Sequence, residues 1–373
     1  RMVINSDKGL QVFDRGGLLR TEPRADGEMM SGPYIVRRGS NDEVMNVRGE
    51  VVLGGQKEYL SGLFGSLVLV GDSVVDVAKP NSPPIALPAA GYWSQIWGDW
   101  VASSSWNVTD LFNFRTQETK QYPGQLRALG DGFVVVRPDL GGLQAFRLSD
   151  GTMTDLPGPY WSRSANMAVT PASVDGGNRV AYATDTDLVV KTIDGAGKTA
   201  PRVLGVMADA GLTLGGPAWV PEFDATKALA AGQIVIKDSK GAVVRTLATP
   251  ASTDGSIRGV GWDGKTDSGG WAPAGTYSYV LVANGTDGTG QAMAVDGIAV
   301  PGGTVTVSGT PPVSVPGAPS GLVASAGDRQ ASIVFTAPGS TGGAAITNYE
   351  FSVDNGATWS ARTPAATDRK SVV

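Results

Sequence analysis

Short valine-rich strand signals return at one constant interval through the first half of this chain. The tetrapeptides YIVR, LVLV, WVAS and FVVV start at Tyr34, Leu67, Trp100 and Phe133, equally spaced along the sequence. One further step back reaches Arg1 (RMVI), and a later copy starts at Arg179 (RVAY), displaced beyond the regular interval. Each is followed, after one short intervening segment, by a second strand signal, at Leu10, Val44, Val74, Leu111, Leu143 and Leu188. Asn5-Ser6-Asp7-Lys8-Gly9, Gly71-Asp72-Ser73 and Thr184-Asp185-Thr186-Asp187 are among the segments between them. Gly, Asn and Asp suit such turns because they accept positive φ or hydrogen-bond their own backbone. A chain that repeats one strand–turn–strand unit is building a scaffold from copies.

Helical repeats can share this period, but they need long Ala- and Leu-rich stretches of helical periodicity, which the segment lacks. Hairpins at this spacing predict the blades of a β-propeller. The 52 glycines and 23 prolines among 373 residues fit many short strands joined by turns. The run Gly142-Leu143-Gln144-Ala145-Phe146-Arg147-Leu148-Ser149-Asp150-Gly151-Thr152 resembles the strand and turn of bacterial WD-like and quinoprotein-like propellers. That resemblance covers residues 1–221 and shows six units. It implies a ring of about six to eight blades, with one or two blades upstream of this fragment.

The chain contains no histidine and no cysteine. It therefore cannot form a Ser-His-Asp triad, a cysteine nucleophile, a Cys/His zinc site or a His- or Cys-ligated haem. No catalytic residue, transition-metal site or cofactor is expected. The net charge of −5 comes without a Lys/Arg cluster that could follow a phosphate backbone, so nucleic acid is not an expected partner. No apolar run is long enough for a membrane-spanning helix. The opening Arg1-Met2-Val3-Ile4 already reads as strand, which marks a fragment without its signal peptide.

Tyr92, Trp93, Trp97, Trp100 and Trp106 form an aromatic-rich stretch that could stack on sugar rings. Packing is the stronger reading for the group, since Trp100 occupies the strand anchor filled by Leu67 and Phe133 in neighbouring units. Trp93 and Trp97 lie between strand signals and are the ligand-binding candidates.

From residue 222 to 309 the period changes. Strand signals fall at Gln233–Ile236, Val243–Leu247, Tyr277–Val282 and Ala292–Val295. The run Trp262-Asp263-Gly264-Lys265-Thr266-Asp267-Ser268-Gly269-Gly270-Trp271-Ala272-Pro273-Ala274-Gly275-Thr276-Tyr277 resembles the signature of the Ig-like domain first named from the flagellar hook-capping protein. The upstream Asp238-Ser239-Lys240-Gly241-Ala242-Val243-Val244-Arg245-Thr246-Leu247 fits the same family. The resemblance implies a small accessory β-sandwich with Trp262 as its core plug. Asp263 and Asp267 do not make a calcium loop, because Lys265 occupies the third ligand position; they are expected to cap a glycine-rich turn.

Residues 310–317 are a Pro-rich linker. Residues 318–367 resemble the opening strands of a fibronectin type III domain, through Pro316-Gly317-Ala318-Pro319-Ser320-Gly321-Leu322 and Gly342-Gly343-Ala344-Ala345-Ile346-Thr347-Asn348-Tyr349. Phe335 stands where that family places Trp, and about half of a domain is present. Such a half-sandwich is expected to expose Ile333, Phe335, Tyr349 and Phe351. Ser352-Val353-Asp354-Asn355-Gly356-Ala357-Thr358-Trp359 resembles the Asp-box hairpin of sialidases, and one copy predicts a hairpin only. Residues 368–373 spell one reading frame of a common sequencing adapter and are read as an artefact.

The chain is thus expected to be all-β: a partial β-propeller, then an Ig-like β-sandwich, then an incomplete fibronectin type III sandwich. The modular order points to a non-catalytic secreted or cell-surface bacterial protein. Its propeller would be an interaction scaffold for polysaccharide or another surface protein, with the later modules as spacers. The alternative is a carbohydrate-active hydrolase working through carboxylates, which needs no histidine.

Overall fold

The computed structural model describes residues 2–6, 9–14, 17–22, 27–56, 58–88, 94–139, 142–156, 167–169, 177–183, 188–313, 315–328, 330–361, 363 and 370–372. Among these the protein is all-β, with no helix.

The first half is a row of antiparallel meanders in chain order, six sheets of three or four strands each. The second to fifth sheets begin with inner strands Gly27–Ser31, Leu60–Phe64, Gln95–Trp97 and Gln125–Gly130. Each neighbours the inner strand of the next sheet, and the last of them neighbours Met167–Val169 of the sixth. Successive sheets therefore splay from a common inner side, which is propeller geometry. The equally spaced anchors Tyr34, Leu67, Trp100 and Phe133 open the second strand of their sheets. The first sheet, Met2–Ser6, Gly9–Asp14 and Gly17–Glu22, starts at the strand equivalent to these second strands.

The constant spacing has a backbone cause. Inner and second strands are joined by two-residue turns, fixed by the pairs Ser31↔Tyr34, Phe64↔Leu67, Trp97↔Trp100 and Gly130↔Phe133. Gly32, Gly65 and Gly98 take the first turn position at φ of 57°, 57° and 59°, and Gly132 takes the second at 78°. Tight hairpin turns need positive φ there, which glycine adopts without strain. The carbonyls of Pro33, Ser66, Asp99, Gly132 and Asn178 then accept from the N–H groups of Val47, Val77, Phe114, Leu148 and Ile193. That bond ties the end of each third strand back to the turn. Between the sheets, alternate residues of these strands pack into continuous cores built from Leu69, Val101, Leu111 and Val134, and from Phe133, Val135, Val180 and Tyr182.

A two-sheet sandwich follows. One sheet runs in the order Ser256–Ile257, Glu222–Ala225, Arg202–Met207, Met293–Ala294. The other runs Gly211–Thr213, Gly302–Ser308, Gly275–Val282, Gly232–Lys237, Val243–Thr249. Arg202–Met207 and Gly211–Thr213, which precede residue 222, pair in parallel with Met293–Ala294 and Gly302–Ser308. The two ends of this unit are thereby laced together. The alternating apolar residues of Gly275–Val282, with Ile234, Ile236 and Val305 of its neighbouring strands, pack with Trp219 and Phe223 into a single core between the sheets.

The Trp262 motif has a physical account position by position. Trp262 is fully buried, its backbone exchanges two hydrogen bonds with Trp219, and its indole N–H donates to Lys265 O at 2.8 Å. Its ring meets Tyr277 edge-on at 5.3 Å, and the Tyr277 hydroxyl donates to Pro273 O at 2.7 Å. Gly264 sits at φ 87°, and a Cβ there would strike Leu214. Asp263 accepts from Lys265 N and closes the turn as expected, whereas Asp267 accepts from Thr246 N and ties the loop to the strand Val243–Thr249.

Beyond the linker, Ser320–Gly327, Gln330–Thr336 and Lys370–Val372 form a small sheet, and Glu350–Phe351 pairs with Ser360–Ala361. Ser320–Gly327 is exposed throughout. Phe335, expected at the surface, is instead buried against Tyr349, ring centroids 4.6 Å apart. Ile333, Tyr349 and Phe351 are half-buried rather than exposed. A partial sheet still folds Phe335 and Tyr349 against each other, because that removes apolar surface from water, while Trp359 stays exposed.

Trp262→Ala is expected to destabilise the sandwich by about 3–5 kcal/mol, through a cavity and an orphaned Lys265 carbonyl. Amide exchange resolved by segment should show Gly232–Lys237 and Gly275–Val282 losing protection while Phe133–Arg137 keeps it.

Candidate functional site

The inner strands of the second to fifth sheets line an open cavity of about 430 Å³. Two β-bulges shape its wall. The ladder slips between Leu60 and Gly62, and between Leu126 and Ala128, so Ser61 and Arg127 are the extra residues of their strands. A bulge frees one residue from the regular alternation and re-aims its side chain. Both bulged residues line the cavity, together with Arg38, Gln95, Met29 and Trp97. Arg38 donates to Leu60 O at 3.1 Å and lies over the Tyr59 ring at 4.5 Å. Arg127 donates to Gln125 Oε1 at 2.7 Å, and Gln95 donates to Arg127 O at 3.3 Å. Burial, reinforced by nearby Arg137, pushes the Arg127 pKa down from its usual value. Among the described residues no carboxylate lines this cavity.

Trp97 belongs to the core. It is 9% exposed and stands 5.1 Å from the Phe64 ring, yet it also lines the cavity wall. Trp93 and Tyr92 lie outside the described residues. Trp100 is half-buried against the same core, with Lys120 over its ring, whereas Trp106 is 83% exposed. The arginines carry the more specific chemistry of the site. Arg38 and Arg127 show no motif in the linear chain; what marks Arg127 is its bulge, and bulges become visible only with strand register.

A second cluster joins the propeller sheets to the sandwich. The repeating two-residue turns all face it. Gly32 and Gly65 approach Leu204 so closely that a Cβ on either would collide with it. Asp99, beside Gly98, holds Arg202 through two bonds of 3.0 Å each and also pairs with Arg115 at 3.2 Å. Arg115 reaches on to Asp296 O, and Lys79 pairs with Asp296 at 3.1 Å. In the fifth sheet Asp131 lies 3.3 Å from Lys227. Both side chains are almost fully buried, and Lys227 also donates to Gly197 O, Thr199 O and Asp287. Burial raises the Asp131 pKa, against the opposing pull of Lys227. These groups pair with one another and close the seam, so this cluster holds structure together.

The Asp-box segment is a tight acidic turn. Asp354 accepts from Thr358 N at 2.8 Å, from Thr358 Oγ1 at 2.5 Å and from Ser352 Oγ at 2.7 Å. The Thr358 hydroxyl, followed by its N–H, holds the Asp354 pKa down to about 2. No group of three or more metal-ligating side chains occurs among the described residues, and no helix among them is long and apolar enough to cross a membrane.

Residues 215–287 match the FlgD Ig-like domain, which places the Trp262 motif and most of the sandwich in that domain class. No curated protein sequence matches the chain. Among solved structures, a computationally designed protein, Ika8, is similar at TM-score 0.37 and 13% identity, over 70% of this chain and 92% of that one. The extracellular domain assigned to the hybrid two component system BT3049 of B. thetaiotaomicron gives 0.37 and 8%, over 83% and 48%. BamB from Moraxella catarrhalis gives 0.28 and 13%, over 70% and 81%. The chain spans about half the length of that extracellular domain. At these scores the fold rests on the strand pairing described above.

Two outcomes are expected. Asp99→Asn removes the charge that two arginines share, at a cost of about 2 kcal/mol, and should raise amide exchange in Arg202–Met207 before the inner strands respond. Asp354 has a depressed folded pKa, so its support of the hairpin is present above the ordinary carboxylate range and is lost as pH falls through about 2. Carboxyl NMR titration of Asp354 should show that low midpoint, and the Thr358 amide should lose protection in the same range.

Proposed function

We propose that this chain is part of a non-catalytic bacterial surface or secreted protein whose propeller unit binds ligand in the inner cavity. The carrying observation is the cavity wall, which gathers two arginines, an amide and a tryptophan from consecutive sheets, with no carboxylate among its described residues. Glycoside hydrolysis by carboxylates requires an acid pair facing the scissile bond. This wall has none among its described residues, and the acids Glu58 and Asp72 line an adjoining hollow, so the wall itself favours binding over the hydrolase alternative. Chain direction supports the same reading. Inner strands run toward the turns that meet the sandwich, so Arg38, Ser61, Gln95 and Arg127 lie toward the opposite ends of their strands. Ligand would be met on the side away from the sandwich.

On this reading the Ig-like sandwich, spanning 202–308 by its pairing, is a rigid spacer, and residues 318–367 are a partial fibronectin type III spacer. Polysaccharide is the favoured partner over another surface protein, because the cavity is small and its wall combines polar groups with an aromatic ring. A glycan array probed with this chain, alongside a reducing-end release assay on every glycan bound, tests the proposal. The expected result is retention of at least one glycan without hydrolysis. Release of reducing ends, or retention of none, would overturn it.

A further inference from the structure

We infer that the inner cavity selects a sugar carrying an anionic group, carboxylate or phosphate, with Arg38 and Arg127 as its charge-reading residues. This rests on the reading of the cavity as the binding site and adds the ligand class. Arg38 and Arg127 line one cavity from separate sheets, and neither has a carboxylate partner among the described residues. Their hydrogen bonds go to neutral acceptors, the Leu60 carbonyl and the Gln125 amide oxygen. The Nε of Arg38 is buried without any hydrogen-bond partner. Two guanidinium groups confined without counter-charge are unfavourable in the empty protein, and an oxyanion relieves that through charge-assisted bonds. Several other arginines of the described protein are matched by carboxylates, although Arg137, beside Arg127, is not. Arg37 pairs with Glu43, Arg147 with Asp150, Arg202 with Asp99 and Arg258 with Asp224. The two cavity arginines depart from that pattern.

The rest of the ligand is read from an adjoining hollow of about 610 Å³, which meets the cavity at Ser61 and Ser94. It is lined by Glu58, Asp72, Ser73 and Tyr59. Carboxylates and serines accept and donate to hydroxyl groups, and the exposed Tyr59 ring offers a flat face. A cationic pocket beside a hydroxyl-reading one fits a polyol with a charge at one end. A sugar acid or sugar phosphate has that distribution, while a neutral sugar leaves the arginines unmatched.

Calorimetric titration of the whole chain with galacturonate, glucose 6-phosphate and galactose tests this. Galacturonate or glucose 6-phosphate is expected to bind at least ten-fold tighter than galactose, with the preference shrinking as salt rises. Whichever of the two wins identifies carboxylate or phosphate as the group read. Arg127→Gln and Arg38→Gln should each remove the preference while leaving the melting temperature within a few degrees. Equal binding of charged and neutral sugars, or a preference that survives both substitutions, would overturn the ligand class and leave the cavity as a binding site. Binding of none of the three would overturn both the class and the cavity reading. If a variant melts early, the wild-type salt series and the charged-to-neutral ratio still decide.

Discussion

The two-residue turn between the first and second strand of the second to fifth propeller sheets is the constraint on which the rest of the structure depends. Its glycine at positive φ sets the hairpin register, and its carbonyl accepts the N–H that follows the third strand. Register then decides which residues enter the cores between sheets. The same turn supplies the surface on which the sandwich sits. At Gly32 and Gly65 the absence of a side chain lets Leu204 approach; at Asp99 and Asp131 charge does the joining. One repeated local geometry is thus used for folding each sheet and for joining two units.

That joint combines two kinds of force. Leu204 and Val295 extend the propeller core into the sandwich, so apolar burial crosses the boundary. Around them, Asp99, Arg115, Arg202, Lys79 and Asp296 form a linked set rather than isolated pairs. Linked charges hold side chains already partly ordered by other partners, which reduces the entropy lost per bond. Burial alone would raise the Asp296 pKa. The Ile298 and Ala299 N–H groups and Lys79 outweigh it and bring that pKa below the usual carboxylate value. The contribution of Asp296 to the joint is therefore present at neutral pH and fades as acid protonates it.

The inner cavity differs from that seam in having arginines whose described partners are neutral. Both contain arginines, but Arg202 meets Asp99 in a two-pronged pair while Arg127 meets only an amide. Trp97 contributes a wall because its ring is fixed against Phe64, and a fixed apolar wall gives shape without specifying charge.

Much of the architecture was legible in the residues themselves. The strand anchors at Tyr34, Leu67, Trp100 and Phe133 fall in equivalent strands because period and turn chemistry are local properties. Trp262 could be read as a core plug because its motif is contiguous and each position serves a nearby turn. The parallel pairing of Arg202–Met207 with Met293–Ala294 could not, since nothing in either segment names a partner so distant in the chain. Nor could the burial of Phe335, which depends on Tyr349 folding over it. Ser61 and Arg127 reach one cavity only because two bulges turn strands from different sheets toward each other. Sequence by itself determined the all-β class, the repeat and the turns, because these follow from backbone preferences over a few residues. Tertiary structure alone decided the docking seam and the cationic cavity, because both are made by side chains distant in the chain whose meeting depends on strand register.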